Sequence, residues 1–262
     1  MLRCRALDLA PRLFSRAQRS RVWWGTRFVR TENVASTLAP FSSGHPTSEL
    51  SKYSVSIPLG DSQLSFGTGS LALLADGCSF VQLDNTSIMA TVVSDPAAAN
   101  EEDDFLPLTV DYREKASAGG FIPRTRNRRE PNNSDRETLT SRAIDRVLRP
   151  VFPPGYVHAT QVLCTLQSCD AARDPAALAV NAASAALTVG AVPFQGPVGA
   201  VRVALVDGAL VENPTRAQLA ASPLDLLYAG NRERALMIEV AAAFAPEALV
   251  QDALRFAHHH VQ

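Results

Sequence analysis

Residues 119 to 150 read GGFIPRTRNRREPNNSDRETLTSRAIDRVLRP and join an arginine-rich loop to a helix. Two glycines and a proline oppose regular structure at the start of this stretch, so we expect a flexible segment there. A guanidinium group is planar and permanently charged, and it can bind two phosphate oxygens at once. The segment therefore indicates a phosphate-binding loop built on four clustered side chains: Arg124, Arg126, Arg128 and Arg129.

The helix is predicted from residues 134 to 137, Ser-Asp-Arg-Glu, which match a capping box. In that motif a hydroxyl and a carboxylate satisfy free amide groups at the helix start. The side facing the core is expected to be an apolar stripe of Leu139, Ala143, Val147 and Leu148. Another face carries arginines about one turn apart, which are Arg142, Arg146 and Arg149. Pro150 ends the predicted helix.

The row of arginines on this helix has two interpretations. It is typical of a solvated helix face. A capped helix that presents such a row beside an arginine loop also brings cations together, as a phosphate-binding surface requires. On the second interpretation the candidate RNA-binding residues are Arg124, Arg126, Arg128, Arg129, Arg142 and Arg146. Asp145 lies among the helix arginines, and we expect it to pair with them rather than act as a base.

The formal net charge of −1 hides a strongly basic amino terminus. The first thirty residues hold eight arginines and one acidic residue, Asp8, so the rest of the chain is acidic. This composition, with interspersed large apolar residues and a continuation rich in Ser and Thr, predicts a mitochondrial presequence over residues 1–45, disordered and outside the fold. A basic tail that binds nucleic acid is the alternative. We expect the protein in the mitochondrial matrix or intermembrane space, without a membrane span.

Cysteine and histidine give no sign of a metal site. Cys4 lies in the predicted presequence, which leaves Cys78, Cys164 and Cys169, an odd number without CxxC spacing. We expect these three to be buried small side chains rather than disulfide or zinc ligands. The run 258–260 consists of three histidines, but consecutive side chains of a helix fan apart and do not converge on one ion.

Alternating apolar and polar residues predict short strands from residue 52 onward. In the first part of the chain these are 53–57, 64–66, 80–83, 88–93, 106–112 and 160–166. Further along they are 198–206, 224–228 and 237–240. Asp76-Gly77 and Asp207-Gly208 are predicted hairpin turns.

Two more helices are predicted. Asp174 is expected to cap the first, with Pro175 at its first position and Gly190 at its end. The many alanines between them predict close packing against a sheet or another helix. Pro246 opens the last helix, which continues to the end of the sequence and suggests a longer natural product or a truncated form. The expected fold is α+β, with mixed and antiparallel sheets packed with helices over residues 46–262.

Three stretches together carry a resemblance to a known family. They are LPLTVDYREKASAG at 106–119, ETLTSRAIDRVLRPVFPPGY at 137–156, and GPVGAVRVALVDG at 196–208 with NPT at 213–215. In combination they closely resemble the first ribonuclease PH-like core of the polynucleotide phosphorylases (polyribonucleotide nucleotidyltransferases), in the mitochondrial form. The resemblance implies the ribonuclease PH fold, a homotrimeric ring around an RNA channel, and degradation of single-stranded RNA from the 3′ end. Inorganic phosphate is the implied co-substrate, and Mg²⁺ the implied cofactor.

The same resemblance places the chemistry outside this chain. Such enzymes join two ribonuclease PH-like cores, and the second core carries the phosphate site, the catalytic acid and the Mg²⁺. The implied role of this first core in mitochondrial RNA degradation and processing is to grip RNA, and an RNA helicase is an implied partner. The alternative is a non-catalytic RNA-binding scaffold subunit of a ribonuclease PH-like ring.

One departure from the family pattern affects the proposed contact. Arg128 and Arg129 occupy the positions of the family's paired arginines. Family members commonly carry aromatic or bulky apolar residues just before that pair, where this sequence has Arg126 and Asn127. We therefore expect a grip on RNA that is more electrostatic and more sensitive to salt.

Overall fold

The computed structural model describes residues 53–59, 62–96, 105–130 and 132–262. The predicted presequence, residues 1–45, lies outside the described residues. Within them the chain forms ten β-strands in two sheets, four α-helices and two short 3-10 turns. The α+β class predicted from the sequence is confirmed.

The elements are as follows in chain order. The strands are β1 (Tyr53–Leu59), β2 (Ser62–Thr68), β3 (Gly77–Leu83), β4 (Thr86–Asp95), β5 (Leu108–Glu114), β6 (Ala159–Ser168), β7 (Gly199–Val206), β8 (Ala209–Glu212), β9 (Leu224–Gly230) and β10 (Ala235–Ala242). The α-helices are α1 (Asp135–Leu148), α2 (Ala176–Val189), α3 (Arg216–Ala221) and α4 (Glu247–Val261). The 3-10 turns are Ala116–Gly119 and Arg149–Val151.

The first sheet has six strands in the order β1-β2-β3-β4-β6-β5. All neighbours are antiparallel except β5 and β6, which are parallel. A parallel pair needs a crossover between its strands, and the arginine-rich stretch with α1 supplies it. This topology fixes where the candidate loop lies, because the loop leaves the sheet at the carboxyl end of β5.

The second sheet has four strands in the order β10-β9-β7-β8, and all its neighbours are antiparallel. Asp207 and Gly208 form its first hairpin with φ values of 50° and 81°, so that predicted turn is confirmed. Helix α4 packs on this sheet through Ala253 and Ala257, both fully buried. Its last turn contains the three histidines.

The alanine-rich helix α2 packs closely against the first sheet, as its composition predicts. Gly77 and Gly190 allow this approach, because a Cβ atom at Gly77 would clash with the backbone of Ala186 and Gly190. The prediction of a hairpin at Asp76-Gly77 is wrong, since Gly77 is the first residue of β3. A glycine is required at position 77 by close packing against α2 rather than by a turn.

The prediction that Asp174 caps the start of α2 is also wrong. Pro175 occupies the N-cap position, and no side chain caps the helix. Asp174 instead binds Arg136 at 2.6 Å and also pairs with Arg202. Because Arg202 lies on β7, this carboxylate links helix α1 to the second sheet. Gly190 ends the helix, as predicted.

Helix α1 buries only part of the predicted stripe, since Val147 and Leu148 are buried as expected and the other two residues are not. Leu139 is 64 % exposed, and Ala143 is half-buried. The buried positions are Glu137, Thr140, Ile144, Val147 and Leu148. The prediction is wrong for Leu139 and Ala143 because it chose apolar residues by type, whereas the buried row includes a threonine and a glutamate.

The short strand β8 and the helix α3 were not predicted from the sequence. Thr215 and Gln218 form a capping box at the start of α3, so a Thr-x-x-Gln signal was present in the sequence. The cysteines of the described residues are free, with Cys78 and Cys164 buried and Cys169 partly exposed. None of the described helices combines the length and the apolar composition needed to cross a membrane.

Candidate nucleic-acid interface

The arginine loop, residues 120–130, is closed at its base by hydrogen bonds. The Glu130 carboxylate accepts a hydrogen bond from the Ala116 amide at 3.0 Å, just after β5. The carbonyl of Ala116 accepts another from the Phe121 amide, also at 3.0 Å. Both ends of the loop therefore meet at Ala116. The adjoining Ala118 is buried and accepts a hydrogen bond from the Cys169 amide at 2.9 Å, which anchors the base to the end of β6.

A second turn lies inside the loop and carries the paired arginines. The Arg128 amide donates to the Thr125 carbonyl at 2.9 Å, and the Thr125 hydroxyl donates to the Arg129 carbonyl at 2.7 Å. Arg128 has a φ of 52°, in the left-handed region that a non-glycine residue adopts only at a cost in energy. The loop thus has more internal hydrogen bonding than the flexible segment predicted from its sequence.

The start of α1 is tied to the end of β5 by Glu137. The predicted capping box is confirmed, since Ser134 Oγ accepts from the Glu137 amide at 3.2 Å and the Glu137 carboxylate accepts from the Ser134 amide at 2.7 Å. The other carboxylate oxygen accepts from the Glu114 amide at 2.8 Å. One buried side chain therefore sets both the helix start and its position beside the strand that leads into the arginine loop.

The ionisation of Glu137 reflects these contacts. Burial disfavours its charged form and by itself would raise its pKa. The hydrogen bonds from the Ser134 and Glu114 amides and from the Ser134 hydroxyl, with the charge of Arg113, outweigh burial and hold the pKa of Glu137 below its ordinary value of 4.5. The carboxylate form is therefore part of the folded structure at neutral pH.

All six arginines predicted to bind RNA are exposed. Four lie on the arginine loop, and Arg142 and Arg146 lie one turn apart on α1. Among the described residues, no carboxylate forms an ion pair with any of the six. By contrast, Arg113 pairs with Asp111 at 2.9 Å, and Arg136 with Asp174 at 2.6 Å. The six side chains thus present positive charge to solvent within the described part of the chain.

Arg149, the third member of the helix row, has another role. Its guanidinium binds Asp145 at 2.7 Å and the carbonyl oxygen of Leu106 at 2.8 Å. The expected pairing of Asp145 with a neighbouring arginine is confirmed. Arg149 therefore fastens the end of α1 to the start of β5 and is not available to a ligand.

Burial keeps two side chains of the first sheet, Cys164 and Tyr112, in their protonated forms. Burial, with a smaller effect of Asp111, raises the pKa of the Cys164 thiol to about 12, so this cysteine stays protonated and unreactive. Burial, assisted by Glu114, also raises the pKa of the Tyr112 hydroxyl. In the part of the chain that the structure describes, no three His, Cys, Asp or Glu side chains are grouped to hold a metal ion. What the exposed arginines can do is bind anions.

Comparison with known protein families accounts for the fold. Residues 63–193 match the first domain of a family described as the 3′ exoribonuclease family, and residues 196–259 match its second domain. This chain belongs to the 3′ exoribonuclease family. The first domain match covers nearly all of β2 and continues through β3 to β6 with α1 and α2, and the second covers β7 to β10 with α3 and much of α4.

Within this family the chain is similar to polyribonucleotide nucleotidyltransferases. It is 49% identical over 203 residues to that of Methylacidiphilum infernorum, with 78% of this chain and 29% of the relative covered. It is 41% identical over 220 residues to polyribonucleotide nucleotidyltransferase 2, mitochondrial, of Arabidopsis thaliana, with 84% of this chain and 22% of the relative covered. The chain spans less than a third of the length of these curated relatives.

A solved structure shows the same fold. The Archaeoglobus fulgidus exosome with RNA bound to the active site contains a chain that superposes with a TM-score of 0.58. The superposition covers 73% of this chain and 83% of that chain, at 15% sequence identity. At this identity the likeness concerns the ribonuclease PH-like fold.

Glu130 and Glu137 shape this interface, and neither role was predicted from the sequence. Glu137 was expected only as a helix cap, and its bond to Glu114 crosses 23 residues of sequence. Glu130 closes the arginine loop through a bond that crosses 14 residues. Neither contact follows a local pattern, so the sequence carries no short-range signal for it.

Proposed function

We propose that this chain is the first core of a mitochondrial polyribonucleotide nucleotidyltransferase and that it grips the RNA substrate. The observation that carries the proposal is the set of six exposed arginines that form no ion pair within the described residues. Arginine side chains of this kind bind phosphate groups of the RNA backbone, which gives affinity without selecting a base sequence. The similarity to polyribonucleotide nucleotidyltransferases supports single-stranded RNA as the polyanion.

The reaction proposed for the complete enzyme is phosphorolysis. Inorganic phosphate attacks the terminal phosphodiester at the 3′ end, the bond to the preceding nucleotide's 3′ oxygen breaks, and a nucleoside diphosphate is released. The chemistry, with its phosphate site and Mg²⁺, belongs to a second core outside this chain. The match covers only 29% of the Methylacidiphilum infernorum relative, which leaves room in that protein for such a core. The arginine loop and α1 hold the strand while it is shortened. Mg²⁺ when bound would stabilise developing charge on phosphate oxygens.

The cellular setting is part of the proposal. We assign residues 1–45 as a mitochondrial presequence, with the mature protein in the matrix or intermembrane space. Two plant relatives are named as mitochondrial, which supports this assignment. Assembly into a homotrimeric ring and association with an RNA helicase follow from the same family resemblance, and the function is RNA degradation and processing.

The test is release of nucleoside diphosphates from a single-stranded RNA, measured with the 262-residue chain, Mg²⁺ and inorganic phosphate. RNA binding is measured in parallel against salt concentration. We expect binding that weakens steeply with salt and no phosphate-dependent release. Release that requires phosphate and disappears in Arg128→Ala with Arg129→Ala would show that the described core has its own active site. Absence of RNA binding would overturn the proposed function.

A further inference from the structure

The arginine loop begins with an exposed aromatic side chain. Phe121 is 71 % exposed, and the following Ile122 is 69 % exposed. Single exposed apolar residues are common on protein surfaces and by themselves need no explanation. Phe121 differs in its surroundings, because it shares one closed loop with four exposed arginines.

Hydrogen bonds bring Phe121 to the same end of the loop as the arginine pair. The Phe121 amide donates to the carbonyl of Ala116, and the amide of Ala116 donates to Glu130, the residue after Arg129. The beginning and the end of the loop therefore both contact Ala116. Phe121 and Arg129 are eight positions apart in sequence, and the closed base brings the Phe121 amide and the carboxylate of Glu130, the residue after Arg129, together at Ala116.

The ring of Phe121 also has a defined position. It lies against Gly119, where an added Cβ atom would stand 3.0 Å from Cδ2 and 3.1 Å from Cε2 of the ring. The backbone on which it stands is anchored to the end of β6 through Ala118. A phenylalanine side chain has only two rotatable bonds, so the stacking of a flat ligand on its exposed ring costs little conformational entropy.

We propose that Phe121 is a stacking residue for one unpaired nucleobase of an RNA strand whose phosphates bind the loop arginines. This inference rests on the proposed function and adds to it a contact that is independent of charge. Proteins that bind single strands combine a basic surface with aromatic rings, and stacking tolerates any base because every base has a π face. A base inside a duplex has both faces covered, so Phe121 selects unpaired RNA. The stacking residue stands upstream of the arginine pair, not directly before it.

The experiment compares binding of two labelled oligonucleotides of equal length and charge, one of adenosines and one lacking bases. In the full 262-residue chain we expect Phe121→Ala to weaken binding of the adenosine oligonucleotide about 5- to 150-fold. The slope of log affinity against log salt stays unchanged, because no phosphate contact is lost. The same substitution leaves binding of the abasic oligonucleotide unchanged.

Two variants serve as controls. Phe121→Trp keeps a stacking surface and retains affinity for the adenosine oligonucleotide, which separates stacking from the general shape of the loop. Phe244→Ala removes a different exposed phenylalanine, between β10 and α4, and leaves both affinities unchanged. Thermal unfolding followed by circular dichroism verifies that each variant is folded.

An equal loss of affinity on both oligonucleotides, or no loss on either, would overturn the stacking proposal while leaving the arginine contact standing. Loss on the adenosine oligonucleotide alone, together with an unchanged salt slope in the arginine-pair variant, would support stacking and refute the arginine contact. A chain that binds neither oligonucleotide overturns both proposals.

Discussion

Replacing Arg128 and Arg129 together by alanine removes two of the six proposed phosphate contacts. Both side chains are exposed and form no ion pair within the described residues, so their loss leaves no buried group unsatisfied. Only the backbone of these residues takes part in the internal turn of the loop. We therefore expect the variant to fold normally and to differ from the parent chain in its binding of RNA.

The magnitude follows from counterion release. Each phosphate contact on a single strand contributes about −0.7 to the slope of log affinity against log salt. With all six arginines on phosphates the slope is about −4.2, and with four it is about −2.8. Raising salt from about 50 to 200 mM then weakens binding about 300-fold for the parent chain and about 50-fold for the variant.

The assay is fluorescence anisotropy of a labelled single-stranded RNA, titrated at four or more salt concentrations. The matched control is Arg234→Ala with Arg255→Ala, which removes two exposed arginines far along the chain from the arginine loop. The control has the same net charge as the variant. The ion pair that it removes, Arg255 with Asp252, is exposed and contributes little to stability, so the control reports mainly the effect of overall charge. An unchanged slope in the loop variant, or an equal change in the control, would refute the proposed contact.

Three further predictions concern the elements that hold the interface. Because folding lowers the pKa of Glu137, its ionised form stabilises the fold above about pH 4.5, and this contribution is lost as pH falls through the lowered pKa. Urea unfolding should therefore show Glu137→Gln less stable than the parent chain at pH 7, with a difference that shrinks at about pH 3; a constant difference would contradict the linkage. Arg128→Gly relieves the left-handed φ and should be about 1 kcal/mol more stable than Arg128→Ala, a difference of about 2–4 °C in Tm, and equal Tm values would show no strain there. Ile144→Ala should cost about 2–5 kcal/mol in unfolding free energy and Leu139→Ala less than about 0.5, whereas the reverse order would restore the predicted apolar stripe.

Local signals in the sequence predicted the elements well where one short motif decides the outcome. The capping box at Ser134, the turn at Asp207-Gly208 and the helix end at Gly190 all involve contacts within four residues, and all are confirmed. The period-two patterns likewise located most strands, with boundaries displaced by a few residues. The α+β class follows because strand and helix patterns alternate in this order.

Predictions failed where the partner of a side chain lies far away in sequence. Asp174 looks like a helix cap, but Arg136 and Arg202 lie 38 and 28 residues away and compete for its carboxylate. An ionic contact with two guanidinium groups outweighs a single amide hydrogen bond. The buried face of α1 was missed in part for a related reason, since the burial of Glu137 depends on the Glu114 amide, 23 residues away, as well as on the nearby Ser134 amide.

The placement of carboxylates explains how an acidic chain keeps a local basic surface. Glu130 follows the arginine pair directly, yet its carboxylate accepts a hydrogen bond from the Ala116 amide. The Glu137 carboxylate accepts hydrogen bonds from the Ser134 and Glu114 amides. The Glu114 carboxylate pairs with the guanidinium of Arg136. Each of these negative groups is held toward the body of the protein by the contacts that also shape the loop and helix. The acidic residues thereby fix the backbone on which the arginines stand, without forming ion pairs that would compete with phosphate.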